Sequence, residues 1–250
     1  MPDRNLDRMI ALRILPGLDG TTRMLTSFVS AARAAGFDDV LAIGYPTDRV
    51  LDYPQLERFA RDALPREAPF VLLGESFSGP VAIAIAADPP PNLIGLVLST
   101  TFARAPVPLL SPFASLTRFA PTRHLPTSVL SAVLLGRWST PELRRTLRTA
   151  LDDVAPAVQR ARAAAAMRID LSDRLPRIAV PTLSLKANQD RLLRAGASRQ
   201  LLESIHGARQ IALDGPHLLL QTRTDACVVA IAHFASGLVD GWLRKGANVG

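Results

Sequence analysis

Apolar residues come along this chain in short bursts, separated by longer stretches in which apolar and polar positions alternate. Residues 9–15 (MIALRIL) form one burst that ends at Pro16-Gly17, as a buried strand feeding a turn does. Val40–Ile43, Phe70–Leu73 and Leu93–Leu98 repeat the pattern. Helices are predicted between them. The first is capped by Thr21 or Thr22 and stopped by Gly36. The second opens on Pro54 and runs to about Leu64. The third spans Phe77 to Ala87, where Asp88 and three prolines halt it. Strand and helix thus alternate from Met9 to Leu98, the rhythm of an α/β protein whose mostly parallel sheet is flanked by helices.

That rhythm breaks between residues 102 and 180, where no strand pattern is visible. Pro106, Pro108, Pro112, Pro121 and Pro126 interrupt the first part. Thr140-Pro141-Glu142 then opens a helix with a hydroxyl cap and a first-turn proline, and Val154–Met167 reads as an Ala-rich helix with arginines on one side. Alternation resumes at Pro181 with a strand Thr182–Leu185, a helix Leu192–Ser204, a strand Gln210–Leu213 and a last helix Thr224–Leu243. The organisation expected is a core domain made of residues 1–101 and 181–250, with 102–180 inserted as a helical cap.

Charge sharpens this division. The chain has 29 basic and 22 acidic residues, and residues 102–180 hold 12 of the first and 5 of the second, so the whole excess of +7 lies in the insertion. Such a segment can attract nucleic acid, anionic lipid, an acidic protein or an anionic substrate. Few aromatics accompany it and no nucleic-acid signature is present, so no nucleic acid is expected as partner. Solvated helix faces account for most of the charge. The longest apolar run, Val81–Ala87, is far short of the roughly 20 residues of a membrane-spanning helix, so no transmembrane segment is expected. A charged N-terminus and a single cysteine, Cys227, add no secretory signal and no internal disulfide; a cytoplasmic globular protein is the expectation.

The candidate chemistry begins at Gly74-Glu75-Ser76-Phe77-Ser78-Gly79, between a predicted strand and a predicted helix. It approximates G-x-S-x-G, a turn so sharp that the flanking positions must be small. Such a turn lifts the Ser76 hydroxyl clear of the sheet and aims the Phe77 amide and the helix N-terminus at the same point. Ser78 stands where the pattern has glycine, and a slightly different packing follows. A nucleophilic serine needs a base. His206 precedes Gly207 at a helix end, His233 lies inside the last helix and His124 lies among prolines of the insertion. His217, in Asp214-Gly215-Pro216-His217, instead follows the last strand, at the edge where the serine turn also opens. The orienting carboxylate should also follow a strand. Asp190 does, whereas Asp214 is placed to shape the turn and no acid follows the fourth strand at Ser99–Thr101. The loop Leu15-Pro16-Gly17-Leu18-Asp19-Gly20 is the source of a second oxyanion amide, from Leu18, alongside that of Phe77.

Pro-Gly-Leu-Asp-Gly at 16–20, the serine turn at 74–79, Asp190 and Gly-Pro-His at 215–217 together resemble the α/β-hydrolase fold family in order and spacing. Pro16 and Ser78 depart from the usual motifs, and the antiparallel strands that often open the fold are not evident. The resemblance implies a serine hydrolase with the triad Ser76, Asp190 and His217, oxyanion donors Leu18 and Phe77, and no cofactor or metal. Cleavage of carboxylic esters of small to medium acyl groups is the first reading. The alternatives are a thioesterase acting on acyl-coenzyme A or an acidic acyl carrier protein docked on the basic cap, and a non-catalytic ligand-binding member of the fold. Hydrolysis of carbon–carbon bonds, perhydrolysis and acyl transfer also occur on it. Leu109, Leu110, Phe113, Phe119, Val133, Leu134 and Trp138 are candidates to line an acyl pocket under the cap.

Overall fold

The computed structural model describes residues 10–37, 39–105 and 127–247. Six strands form one sheet: β1 (Ala11–Leu15), β2 (Val40–Ala42), β3 (Phe70–Glu75), β4 (Leu93–Ser99), β5 (Thr182–Ala187) and β6 (Arg209–Leu213). Their order is β2-β1-β3-β4-β5-β6, and every pairing between these six strands is parallel. Parallel strands must be joined by crossovers, and the apolar runs are continuous because both faces of the sheet are covered. Within β3, Phe70 and Leu72 point to one face while Val71 and Leu73 point to the other.

One face carries α2 (Tyr53–Asp62), α3 (Gly79–Ala87) and α7 (Ala195–Ser204); the other carries α1 (Thr26–Ala34), a short α8 (Leu219–Thr222) and α9 (Thr224–Ala247). α3 is buried on every side, so its sequence, GPVAIAIAA, shows no amphipathic stripe. α2 starts as its sequence predicts: Pro54 is in the first turn, and Asp52 and Gln55 exchange side-chain hydrogen bonds with each other's backbone amides. The α/β-hydrolase fold expected from the sequence is the architecture observed.

Several boundaries differ from expectation, each for a local reason. Neither Thr21 nor Thr22 caps α1. The Thr21 hydroxyl donates to the Asp19 carboxylate instead, and a 3₁₀ turn at Arg23–Leu25 precedes the helix. α3 begins at Gly79 and not at Phe77, because Ser76–Ser78 form a tight 3₁₀ turn. α7 begins at Ala195 rather than Leu192, because the Asp190 carboxylate accepts the amides of Leu192 and Leu193 and holds those residues in a turn. The short helix α8 was not expected.

Between β4 and β5 the described chain forms α4 (Thr127–Leu134), α5 (Pro141–Asp152) and α6 (Pro156–Ala166). Thr140 caps α5 through the Leu143 amide as predicted. One isolated antiparallel bridge joins Arg104 to Asp170 where the segment leaves and rejoins the core. The proline-broken stretch from Pro106 to Pro126, with Leu109, Leu110, Phe113, Phe119 and His124, lies outside the described residues. Among the described residues no helix is long and apolar enough to cross a membrane.

Candidate active site

The strand order changes direction between β1 and β3, which are neighbours although β2 lies between them in sequence. Ligands of open parallel sheets bind at such a switch, beyond the carboxyl ends of the strands. The loop after β1 and the turn after β3 both open there.

Ser76 sits at φ 47°, in the left-handed region that a serine rarely adopts. The surrounding packing holds it so. A Cβ on Gly74 would lie 2.7 Å from the Ala82 methyl and 3.0 Å from the Ser78 carbonyl oxygen. One on Gly79 would lie 1.8 Å from Thr101 Oγ1, and that hydroxyl donates to the Ser76 carbonyl. The steric limit on the helix side therefore falls on Gly79, one residue later than the motif suggests. Ser78 has room for its side chain and uses it. Its buried hydroxyl donates to the carbonyl of Pro16 and accepts from the Tyr45 phenol at 2.9 Å. The serine at the motif's glycine position thus ties the nucleophile turn to the loop after β1. Tyr53 stacks on Phe77 with ring centres 5.0 Å apart and donates to the Phe77 carbonyl.

The three side chains expected to converge do so. Ser76 Oγ lies 2.8 Å from His217 Nε2, and His217 Nδ1 lies 2.9 Å from Asp190 Oδ2. His217 is 2% exposed and Ser76 9%, so the chain of hydrogen bonds is almost shielded from water. Burial pushes the Asp190 carboxyl up. The hydrogen bond from His217, its charge, and the amides of Leu193 and Leu192 together outweigh this and hold it below its ordinary value. An ionised Asp190 accepts from Nδ1–H, which leaves the Nε2 lone pair to accept the Ser76 hydroxyl hydrogen. Two backbone bonds lace the loops that carry these residues: Asn188 N–H to the Leu213 carbonyl at 2.9 Å, and Gln189 N–H to that of Gly215 at 3.0 Å.

The Phe77 amide lies in the first turn after Ser76, where no earlier helical carbonyl can accept it. Leu18 occupies the tip of the β1 loop, closed by Gly20 N–H donating to the Gly17 carbonyl at 3.0 Å. His206 and His233 are exposed. Asp214 pairs with Arg137, in the turn between α4 and α5, at 2.6 Å. A cavity of about 150 Å³ adjoins Asp190 between the end of β4, β5 and α7, but neither Ser76 nor His217 lines it. Among the described residues no cluster of His, Cys, Asp or Glu is arranged to hold a metal ion.

Residues 46–220, which contain Ser76, Asp190 and His217, match the family described as serine aminopeptidase, S33. The chain belongs to the S33 serine aminopeptidase family. It is therefore a member of a hydrolase family and of the α/β-hydrolase superfamily. No curated protein matches it. A hydrolase from Pseudomonas aeruginosa PA01 shares the fold at TM-score 0.75 and 21% identity, over 90% of this chain and 89% of that one. An enol-lactonase from Burkholderia xenovorans LB400 does so at 0.73 and 22%, over 90% and 91%. An esterase from Exiguobacterium antarcticum does so at 0.72 and 16%, over 90% and 91%.

This S33-family chain also carries site residues that sequence reasoning missed. Glu75, beside the serine, is 2% exposed. Its carboxylate accepts from Gln221 Nε2 at 2.9 Å and from the Gly17 amide. Burial, reinforced by the nearby Asp19 charge, pushes it up to about 7 against the pull of Gln221, His217 and Gly17. Its signal was in the sequence, as an acid closing a strand that is otherwise apolar. Arg162 of α6 is buried against the β1 loop, and nothing local marks it among the arginines of its segment.

Proposed function

We propose that the protein is a serine hydrolase that cleaves carboxylic esters of small to medium acyl groups through an acyl-enzyme. The observation that carries this is the unbroken relay from Ser76 Oγ through His217 to Asp190, at 2.8 and 2.9 Å, on a strained serine turn. His217 takes the Ser76 proton as Oγ attacks the ester carbonyl. The amides of Leu18 and Phe77 receive the negative charge that forms on the carbonyl oxygen, each lowering the barrier by about 3 kcal/mol. His217⁺ then gives the proton to the leaving alkoxide. Water, deprotonated by His217 in turn, attacks the acyl-enzyme; the acyl C–Oγ bond breaks as His217⁺ returns the proton to Ser76 Oγ, releasing the acid and the free serine. Asp190 stays ionised throughout and holds the imidazole in the required tautomer.

Membership of a hydrolase family supports the reaction class, and the esterase and enol-lactonase among the structural neighbours suggest oxygen esters as the first substrates to try. The experiment is turnover of a graded series of aryl esters by wild type and Ser76→Ala, run beside acyl thioesters and aminoacyl anilides. The wild type should favour short and medium esters, and the alanine variant should lose about 10⁶ in kcat. An alanine variant with full activity would refute the mechanism. Faster turnover of the thioesters or anilides would refute the substrate class alone.

A further inference from the structure

Arg162 belongs to the insertion, yet its guanidinium is buried in the core at 2% exposure. Nη1 donates to the carbonyls of Leu18 at 3.3 Å and Asp19 at 2.5 Å, and Nη2 donates to that of Pro46 at 2.9 Å. The guanidinium carbon lies 5.7 Å from the centre of the Tyr45 ring. Among the described residues no carboxylate lies within ion-pair distance of it. A buried cation is expensive unless its charge is offset and its donors are satisfied; here the nearby Asp19 charge favours it, and backbone carbonyls and an aromatic face receive it. The loop is shaped to receive it. Gly20 sits at φ +68°, and a Cβ there would come within 2.3 Å of Arg162 Nη1.

Two of the three carbonyls that Arg162 holds, those of Leu18 and Asp19, belong to the oxyanion loop. The Leu18 N–H belongs to the Gly17–Leu18 peptide, and the peptides on either side of it are both pinned. Ser78 and Glu75 grip the Pro16–Gly17 peptide, by its oxygen and its N–H. Arg162 grips the Leu18–Asp19 peptide by its oxygen. The peptide between them is left one orientation, with its own oxygen taken by the Gly20 amide.

We propose that Arg162 is a positioning residue that fixes the plane of the Leu18 amide, so that the insertion takes part in oxyanion stabilisation without touching substrate. The proposal rests on the serine hydrolase reading above. A planar fork with several donors suits this task, and a lysine's compact ammonium does not replace it.

The test is kcat and KM for an aryl ester in wild type, Arg162→Ala and Arg162→Lys, with circular dichroism of each and with added free guanidinium. Misplacing a catalytic group costs up to about 100-fold. Arg162→Ala should lose roughly 10- to 100-fold in kcat with little change in KM, and Arg162→Lys should fall between it and wild type. Millimolar guanidinium should restore part of the loss in the alanine variant and none in Ser76→Ala. Wild-type kcat in Arg162→Ala, or a loss that guanidinium leaves untouched, overturns the proposal. If the alanine variant does not fold, the lysine variant decides: a lowered kcat at unchanged KM supports the proposal, and wild-type kcat overturns it. A wild type that neither turns over any ester nor reacts with a fluorophosphonate at Ser76 defeats the functional reading, and the proposal falls with it. An active wild type with unaffected Arg162 variants defeats the proposal alone.

Discussion

Glu75 makes a pH-dependent contribution to stability that can be assigned to one side chain. In the unfolded chain its carboxyl titrates at its ordinary 4.5, and in the folded protein at about 7. Between those values the folded state binds the extra proton, so stability falls as pH rises through the window. At about 1.36 kcal/mol per pH unit, the full penalty above pH 7 is about 3 kcal/mol. Glu75→Gln removes the titration and keeps the shape. Its stability relative to wild type should therefore rise by about 2–3 kcal/mol between pH 5 and pH 8, measured by urea denaturation at the two values. Parallel changes in the two proteins would contradict this. Asp190 has the opposite sign: its carboxyl is held low, so its contribution is present above its unfolded value and is lost as pH falls through the folded one.

At the scale of elements, the loop after β1 and the turn after β3 behave as one unit because Ser78 joins them. Ser78→Gly would restore the glycine common at this place in the motif, and it should nevertheless destabilise the protein. It leaves the Pro16 carbonyl and the Tyr45 phenol buried without this partner, at a cost of about 1–3 kcal/mol. Thermal or urea unfolding of the variant checks this, and unchanged stability would contradict it. The same elements show what the sequence could and could not disclose. Strands β1 to β6, the serine turn, and the placing of Asp190 and His217 after β5 and β6 were legible, because each leaves a local pattern: an apolar burst, a glycine pair, a polar loop at a strand's end. The start of α1 was misread because two hydroxyls stood before it, and the competing acceptor for Thr21 lay two residues away at Asp19. Arg162 was illegible for a different reason. Its partners are more than a hundred residues distant in sequence, and an arginine on a helix face looks the same whether it meets water or a loop.

Across the whole molecule, the helices between β4 and β5 are fastened to the loops that carry the candidate site. Arg162 holds the β1 loop, and Leu134 accepts the amide of Leu218, next to His217, at 3.1 Å. Arg137 pairs with Asp214, and Arg191 of the Asp190 loop donates to the Ala132 carbonyl at 2.9 Å. A small apolar cluster of Met24, Leu135, Leu147, Ala150 and Leu218, with Leu134 packed against it, lies under this junction. Leu134 thus belongs to the packing of the insertion on the core. Of the arginines between β4 and β5, Arg137 pairs with Asp214 of the core, whereas Arg104–Asp170 and Arg148–Asp152 join residues of that same segment and leave its net charge unchanged. These pairs are mostly exposed and contribute little to stability each. On the proposed reading, all this scaffolding serves to make one serine reactive. The most direct test is to expose folded wild type and His217→Ala to a fluorophosphonate and map the label by peptide mass spectrometry. One phosphonyl group, on Ser76, is expected in the wild type, with severely slowed labelling in the variant. Label on another residue, no label on folded wild type, or equal rates in the two proteins would contradict that reading.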